Sequence, residues 1–116
     1  MISEDGARWD LPAGRPEADE TWEDTLRREM MEEACAVVRS ARLLGFARGR
    51  CIEGHEEGLV LVRAFWRAEV DLLDWEPRFE VTHRRLVKPA EVLSEINIER
   101  GYFPTLARAL REAGVG

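Results

Sequence analysis

Residues Trp22 to Ala34 contain no Gly or Pro and are rich in Leu, Met, Glu and Arg, which predicts a helix. Thr21 fits its N-cap, and Asp24, three residues on, fits the capping-box partner. At about 100° per residue with Trp22 at zero, Leu26, Met30 and Ala34 fall at about 40°, 80° and 120° and form the apolar stripe. Glu29 falls at about −20° and Glu33 at about 20°, so Glu33 projects between Trp22 and Leu26, and Glu32 flanks them at about −80°. Carboxylates this close repel and raise one another's pKa values, and placing two on the inner edge adds a desolvation cost. A divalent cation resolves both problems, and Mg²⁺ suits the oxygen donors while keeping positions open for water and substrate phosphates. Arg28, four residues before Glu32, stands where it can orient a carboxylate. The competing reading is a solvated acidic helix whose charges are offset by Arg27 and Arg28.

The surrounding pattern alternates element types. Residues 1–7 are polar and loop-like, and "RWDL" (8–11) has the length of a short strand. "PAGRPEAD" (12–19) is a loop. Residues 36–51 read as a strand with a bulge at Gly45, 52–58 as a turn, and 59–70 as the clearest strand, buried at its start and half exposed at its end. Residues 71–80 form a loop and "VTHRRLV" (81–87) a short strand. A short helix follows over 89–96 with Pro89 in its first turn, and a final helix over 104–114 runs from Pro104 to Gly114. This order predicts an α/β or α+β fold with a mixed sheet covered by helices, in which the strands on either side of the 52–58 turn pair antiparallel.

Length and charge narrow the partners. The 116 residues suit one domain, and 45% apolar content with four Trp can form a core. A net charge of −6 argues against a nucleic-acid backbone as partner, but not against phosphorylated small molecules held through a cation. No signal peptide or membrane span is expected, and Cys35 and Cys51 read as free thiols in a reducing cytoplasm, a single disulfide being the alternative.

The helix lies within a longer pattern: Gly14, Glu20, then Arg28-Glu29-Met30-Met31-Glu32-Glu33, preceded by "WDLPAG". This pattern resembles the Nudix box, the signature of the Nudix hydrolases. The resemblance implies an α/β/α sandwich with the box as a loop-helix-loop, and hydrolysis of a nucleoside diphosphate linked to another group, X, with Mg²⁺ or Mn²⁺. It implies that Glu29, Glu32, Glu33 and the carbonyl of Gly14 are metal ligands, and that one of the carboxylates helps activate water. Glu20 would hold the loop or a metal-bound water, and Arg28 would position a carboxylate. A catalytically silent nucleotide-binding or regulatory module with the same fold is the alternative.

The sequence departs from the family pattern in three places. Cys35 stands where the family has Gly; Cys demands ordinary backbone angles, which predicts a different helix exit, with the thiol as a small buried group or, alternatively, a nucleophile. Ala13 stands where many members have another Gly. Only 13 residues precede Gly14, so the strand that normally precedes the box is expected to be missing, either because the chain is a fragment or because another subunit supplies it. An unpaired central strand would be an exposed edge, which predicts a homodimer.

Outside the box, Glu80 is the first candidate for a further acidic base or ligand, and Glu56 and Glu57 come next. His55 and His83 have no zinc-ligand spacing, and His83 is a weaker candidate for touching substrate. Arg63 and Arg67 share a strand face that can reach phosphates or simply be solvated. Phe65, Trp66 and Trp75 are either base-stacking rings or core.

Overall fold

The computed structural model describes residues 1–50, 60–77, 80–98 and 100–114. Helix α1 spans Trp22–Ala34, as its composition predicts. Thr21 Oγ1 accepts from Asp24 N–H at 3.1 Å and Asp24 Oδ2 accepts from Thr21 N–H at 3.1 Å, a reciprocal cap that contributes about 1 kcal/mol. The inward face is narrower than the stripe suggested. Thr25 and Ala34 are buried and Met30 packs on the core, while Trp22 at the entrance stays largely exposed and meets Phe46 edge to face.

At the helix exit the expectation for Cys35 is overturned. Cys35 takes the left-handed conformation, φ 51° and ψ 47°, which a Gly would adopt without strain. Its N–H donates to the carbonyls of Met30 and Met31, and its buried thiol meets the carbonyl of Glu76 at 3.4 Å. The exit thus keeps the geometry of the family's Gly and adds strain at a residue with a Cβ. We expect Cys35→Gly to be more stable than Cys35→Ala by about 1 kcal/mol in urea denaturation, since the two differ chiefly in that Cβ. Equal midpoints would mean that the exit does not hold a left-handed residue in solution.

Strands β2 (Ala36–Arg50) and β3 (Val60–Leu72) form an antiparallel pair. The register shifts between Leu43 and Gly45, where a bulge was expected, and again between Val38 and Ser40, where none was. An isolated two-stranded ribbon is marginal in water. Helix α1 packs against β2, as does α3 (Phe103–Glu112). Arg42 and Arg67 donate to the carbonyls of Glu112 and Ala113, placing positive charge at the C-terminal end of α3. Toward its end β3 is half exposed as expected, with Arg67 and Glu69 exposed and Val70 packed on the core. Val62, in the half expected to be buried, is 42% exposed; the side chains of 59–61 lie outside the described residues.

Two further expectations are corrected. Residues 1–7 are not all loop, and the N-terminal strand is not missing. Ile2–Ser3 is a buried strand, β1, paired antiparallel with β4 (His83–Arg84) in the register Ile2 to Arg84 and Ser3 to His83. With no apolar alternation over so few residues, only the tertiary pairing reveals it. "RWDL" forms bridges rather than a strand, with Asp10 antiparallel to Ile2 and Trp9 parallel to Ile96. That bridge is the parallel component of the strand pairing; the named strands pair antiparallel. The strand expected over 81–87 contracts to β4, and the helix expected over 89–96 is a 3-10 turn, Pro89–Glu91, leading into α2 (Val92–Glu95). The core joins β1, the helix exit and the loop before β4. Ile2, Ala34, Ala36 and Val81 are buried together, with Met30, Val70 and Trp75 packed against them.

Candidate active site

The loop from Pro12 to Glu20 folds back along α1, and Arg28 ties it down. Arg28 Nε and Nη2 donate to the two Glu20 carboxylate oxygens at 2.7 and 3.0 Å, and Nη2 also donates to the carbonyl of Arg15 at 3.0 Å. Nη1 donates to Glu29 Oε1, and to Glu32 Oε2 at 3.2 Å. The Arg28 guanidinium holds the Glu20 carboxyl down at about 2, helped by the N–H of Glu17. In turn Glu20 foremost, with Glu29 and Glu17, raises the pKa of Arg28. Planar donors aimed at several carboxylates are the work of an arginine; a lysine is a point charge that cannot reproduce the fork.

Gly14 lies against Glu29. A Cβ on Gly14 would overlap the Glu29 carboxyl carbon and both of its oxygens, so any side chain here forces the carboxylate or the loop to move. Glu29 is only 14% exposed in its side chain. Next to this contact, the N–H of Ala13 donates to Glu33 Oε1 at 2.8 Å. Burial pushes the Glu33 carboxyl from 4.5 up to about 7; the Ala13 hydrogen bond opposes that push, and the charges of Glu29 and Glu32 add to it. Between those pH values the native state binds more protons than the unfolded chain, so the metal-free protein loses stability as pH rises through this window. Glu33→Gln has no proton to hold, and we expect its stability to fall less steeply from pH 4.5 to 7 than that of the parent, measured by urea midpoints in chelator.

Glu33 also lines a cavity of about 290 Å³, with Asp5, Arg8, Asp10 and Asn97 among its polar walls. Asp5 comes from the segment read as loop, Arg8 and Asp10 from the segment read as a short strand, and Asn97 from the residue after the α2 exit; none of them was a site candidate in the sequence. Burial raises the pKa of Asp10, and the charge of Arg63, whose guanidinium lies 5.9 Å from the centre of the Tyr102 ring, opposes that shift. Arg67, by contrast, is committed to the carbonyl of Ala113.

A family model for the NUDIX domain matches residues 2–109. The chain belongs to the Nudix family. No curated protein and no solved structure matches it. Nudix membership supports a pyrophosphohydrolase-type function, exercised on nucleotide-derived small molecules and in general with divalent cations such as Mg²⁺, and it implies the α/β sandwich. Among the described residues no helix is long and apolar enough to cross a membrane.

The donor chemistry of the Nudix box fits a hard cation. Glu29, Glu32 and Glu33 crowd their charges on one face, and the Gly14 backbone adjoins Glu29. Among the described residues, however, no three acidic, His or Cys side chains are grouped as ligands, and Glu29 and Glu32 are both engaged by Arg28. The other expected site residues lie apart. Glu80 is exposed beside Val81, which lines the cavity, and has no hydrogen bond or ion pair with the box carboxylates. His83 meets Thr82 Oγ1 at 2.7 Å and the edge of Trp9. Trp75 packs on the core beneath Arg84, and Phe65 lines a different cavity beside α3. Trp66 is half-buried in β3. Cys51, His55, Glu56 and Glu57 lie outside the described residues.

Proposed function

We propose that this chain, as a single Nudix domain over residues 1–116, is a Mg²⁺-dependent hydrolase, also served by Mn²⁺, that cleaves the pyrophosphate of a nucleoside diphosphate linked to a group X. The observation that carries this reading is the placement of Glu33. It combines a proton affinity near neutrality, contact with the loop beside Gly14, and a cavity at its side.

Glu29, Glu32, Glu33 and the carbonyl of Gly14 would hold the cation. A bound Mg²⁺ supplies neutralisation of pyrophosphate charge and lowers the pKa of water. The protein's own groups do the rest. A Glu33 carboxylate oxygen accepts the proton of the attacking water. The water oxygen bonds to one phosphorus as the bridging P–O bond to it breaks, and the bridging oxygen leaves on the other phosphate, giving two phosphorylated products. Arg28 orients Glu29 and Glu32, and Glu20 fixes Arg28. Glu80 is our candidate for a second acid-base group from the cavity side.

One observation favours a silent binding module as the second reading: Arg28 already satisfies two of the three box carboxylates. We also propose a homodimer, because the described β2–β3 ribbon is two-stranded and carries exposed Leu43, Phe46 and Val62. A cytoplasmic location suits Cys35, which is a free, buried thiol.

Phosphate release through a coupled phosphatase tests the reading across nucleoside triphosphates, nucleotide sugars and dinucleotides with Mg²⁺, Glu33→Gln running in parallel. Turnover that vanishes in the variant supports the enzyme. A silent panel with retained nucleotide binding supports the module.

A further inference from the structure

Helix α1 ends badly on its own. The C-terminal end of a helix carries unpaired carbonyls and partial negative charge, and cations belong there. Glu32 and Glu33 occupy this last turn instead, and no basic residue accompanies them. The exit residue, Cys35, is held in a left-handed conformation that its side chain disfavours.

The compensating charge comes from β4. Arg84 Nη1 donates to the carbonyl of Ala34 at 2.8 Å, to that of Leu73 at 3.0 Å and to that of Cys35 at 3.5 Å. Its guanidinium carbon lies 5.3 Å from the centre of the Trp75 ring, and Trp75 packs on the same core as Ala34. Leu73 N–H donates to Cys35 O at 2.9 Å, so the exit and the end of the β2–β3 ribbon share this one guanidinium. Arg84 is also paired to Ile2, and β1 lines the cavity that Glu33 enters.

We propose that Arg84 is a positioning residue for the site. By clamping the end of α1 from the strand beside the cavity wall, it sets where Glu33 stands relative to Gly14 and to the cavity. The proposal rests on the functional reading above, because it supposes that the placement of Glu33 and Glu29 matters for cation and turnover. Ala34 immediately follows Glu33, so a shift of the clamped carbonyl is passed directly to the carboxylate.

The test uses the intact chain with Arg84→Met and Arg84→Lys, and Mg²⁺ alone as the first probe. Arg84→Met should keep its far-ultraviolet circular dichroism and a cooperative melt. Its amides in the last turn of α1 and at Cys35 should exchange faster, and its Kd for Mg²⁺ should rise about 10–100-fold, the usual cost of losing a partner that orients ligands. On a turned-over substrate kcat should fall with KM nearly unchanged. Arg84→Lys, which keeps the charge but lacks the planar guanidinium that lies over Trp75, should fall between the two.

A Kd within about twofold of the parent, with protection at Cys35 intact, would overturn the proposal. So would loss of the fold in both variants, which would make Arg84 a folding residue. A parent that neither binds Mg²⁺ nor turns over removes the functional reading and this proposal together, and that failure is visible without any variant.

Discussion

Glu33→Gln is expected to lower turnover by about 10²–10⁴-fold with Mg²⁺ saturating, the range for loss of a positioned general base. The substitution is nearly isosteric. Its amide oxygen can still accept the Ala13 N–H that now meets Glu33 Oε1 at 2.8 Å, so the loop beside Gly14 should stay in place. What disappears is the charge and the capacity to accept a proton near neutrality. At subsaturating Mg²⁺ the parent's rate should rise with pH toward about 7 on its acidic limb, because Glu33 in the metal-free site must lose its proton before the cation enters. The variant should lose that limb along with its rate. Loss of rate with the limb retained would assign that ionisation to another group, and Glu80 would be the next to replace. An unchanged rate would remove Glu33 from the chemistry altogether.

The box helix could be read from the sequence because its signals are local. The cap Thr21–Asp24, the stretch free of Gly and Pro, and the carboxylates on the inner edge are all contained in residues 21–34, and the structure starts and ends α1 at Trp22 and Ala34. Arg28 was legible for the same reason, although its bond to Glu20 depends on the loop folding back. Long-range pairing was not legible. Ile2 and Ser3 form a strand only because β4 lies beside them, and two residues cannot show a period. The cavity wall at Asp5, Arg8 and Asp10 was invisible for that reason, since it exists only once β1 is paired. Cys35 shows a different failure. Composition argued for ordinary angles, but the packing of Ala34 and Ala36 on either side, both buried, fixes the chain reversal between them whatever residue occupies the corner. The clamp from Arg84 was hidden in "VTHRRLV", which the sequence shows only as a short strand, because its carbonyl partners at Ala34, Cys35 and Leu73 are distant in the chain.

Mg²⁺ should stabilise the fold, and the gain should depend on the same carboxylates. At a hundredfold excess over its dissociation constant, a ligand that binds only the native state adds about 2.7 kcal/mol. For a domain of this size that is a rise in Tm of roughly 10 °C. The physical source is the crowding around Glu33, where burial and the charges of Glu29 and Glu32 make ionisation of the bare site unfavourable. A cation between the carboxylates converts that repulsion into attraction and displaces the remaining proton, so the gain should grow as pH rises toward 7 and shrink below it. Arg28 opposes the change, because its contacts to Glu29 and Glu32 must yield where the cation takes the same oxygens. Glu33→Gln should therefore start from a higher metal-free Tm than the parent at pH 7 and above, yet gain little from Mg²⁺. The opposite signs distinguish a metal site from general salt screening, which would shift parent and variant alike. Parallel melts with Mg²⁺ and with an equal ionic strength of Na⁺ make the comparison. A parent indifferent to Mg²⁺ would leave the acidic helix as a solvated surface braced by Arg28, and would remove the cation from the proposed chemistry.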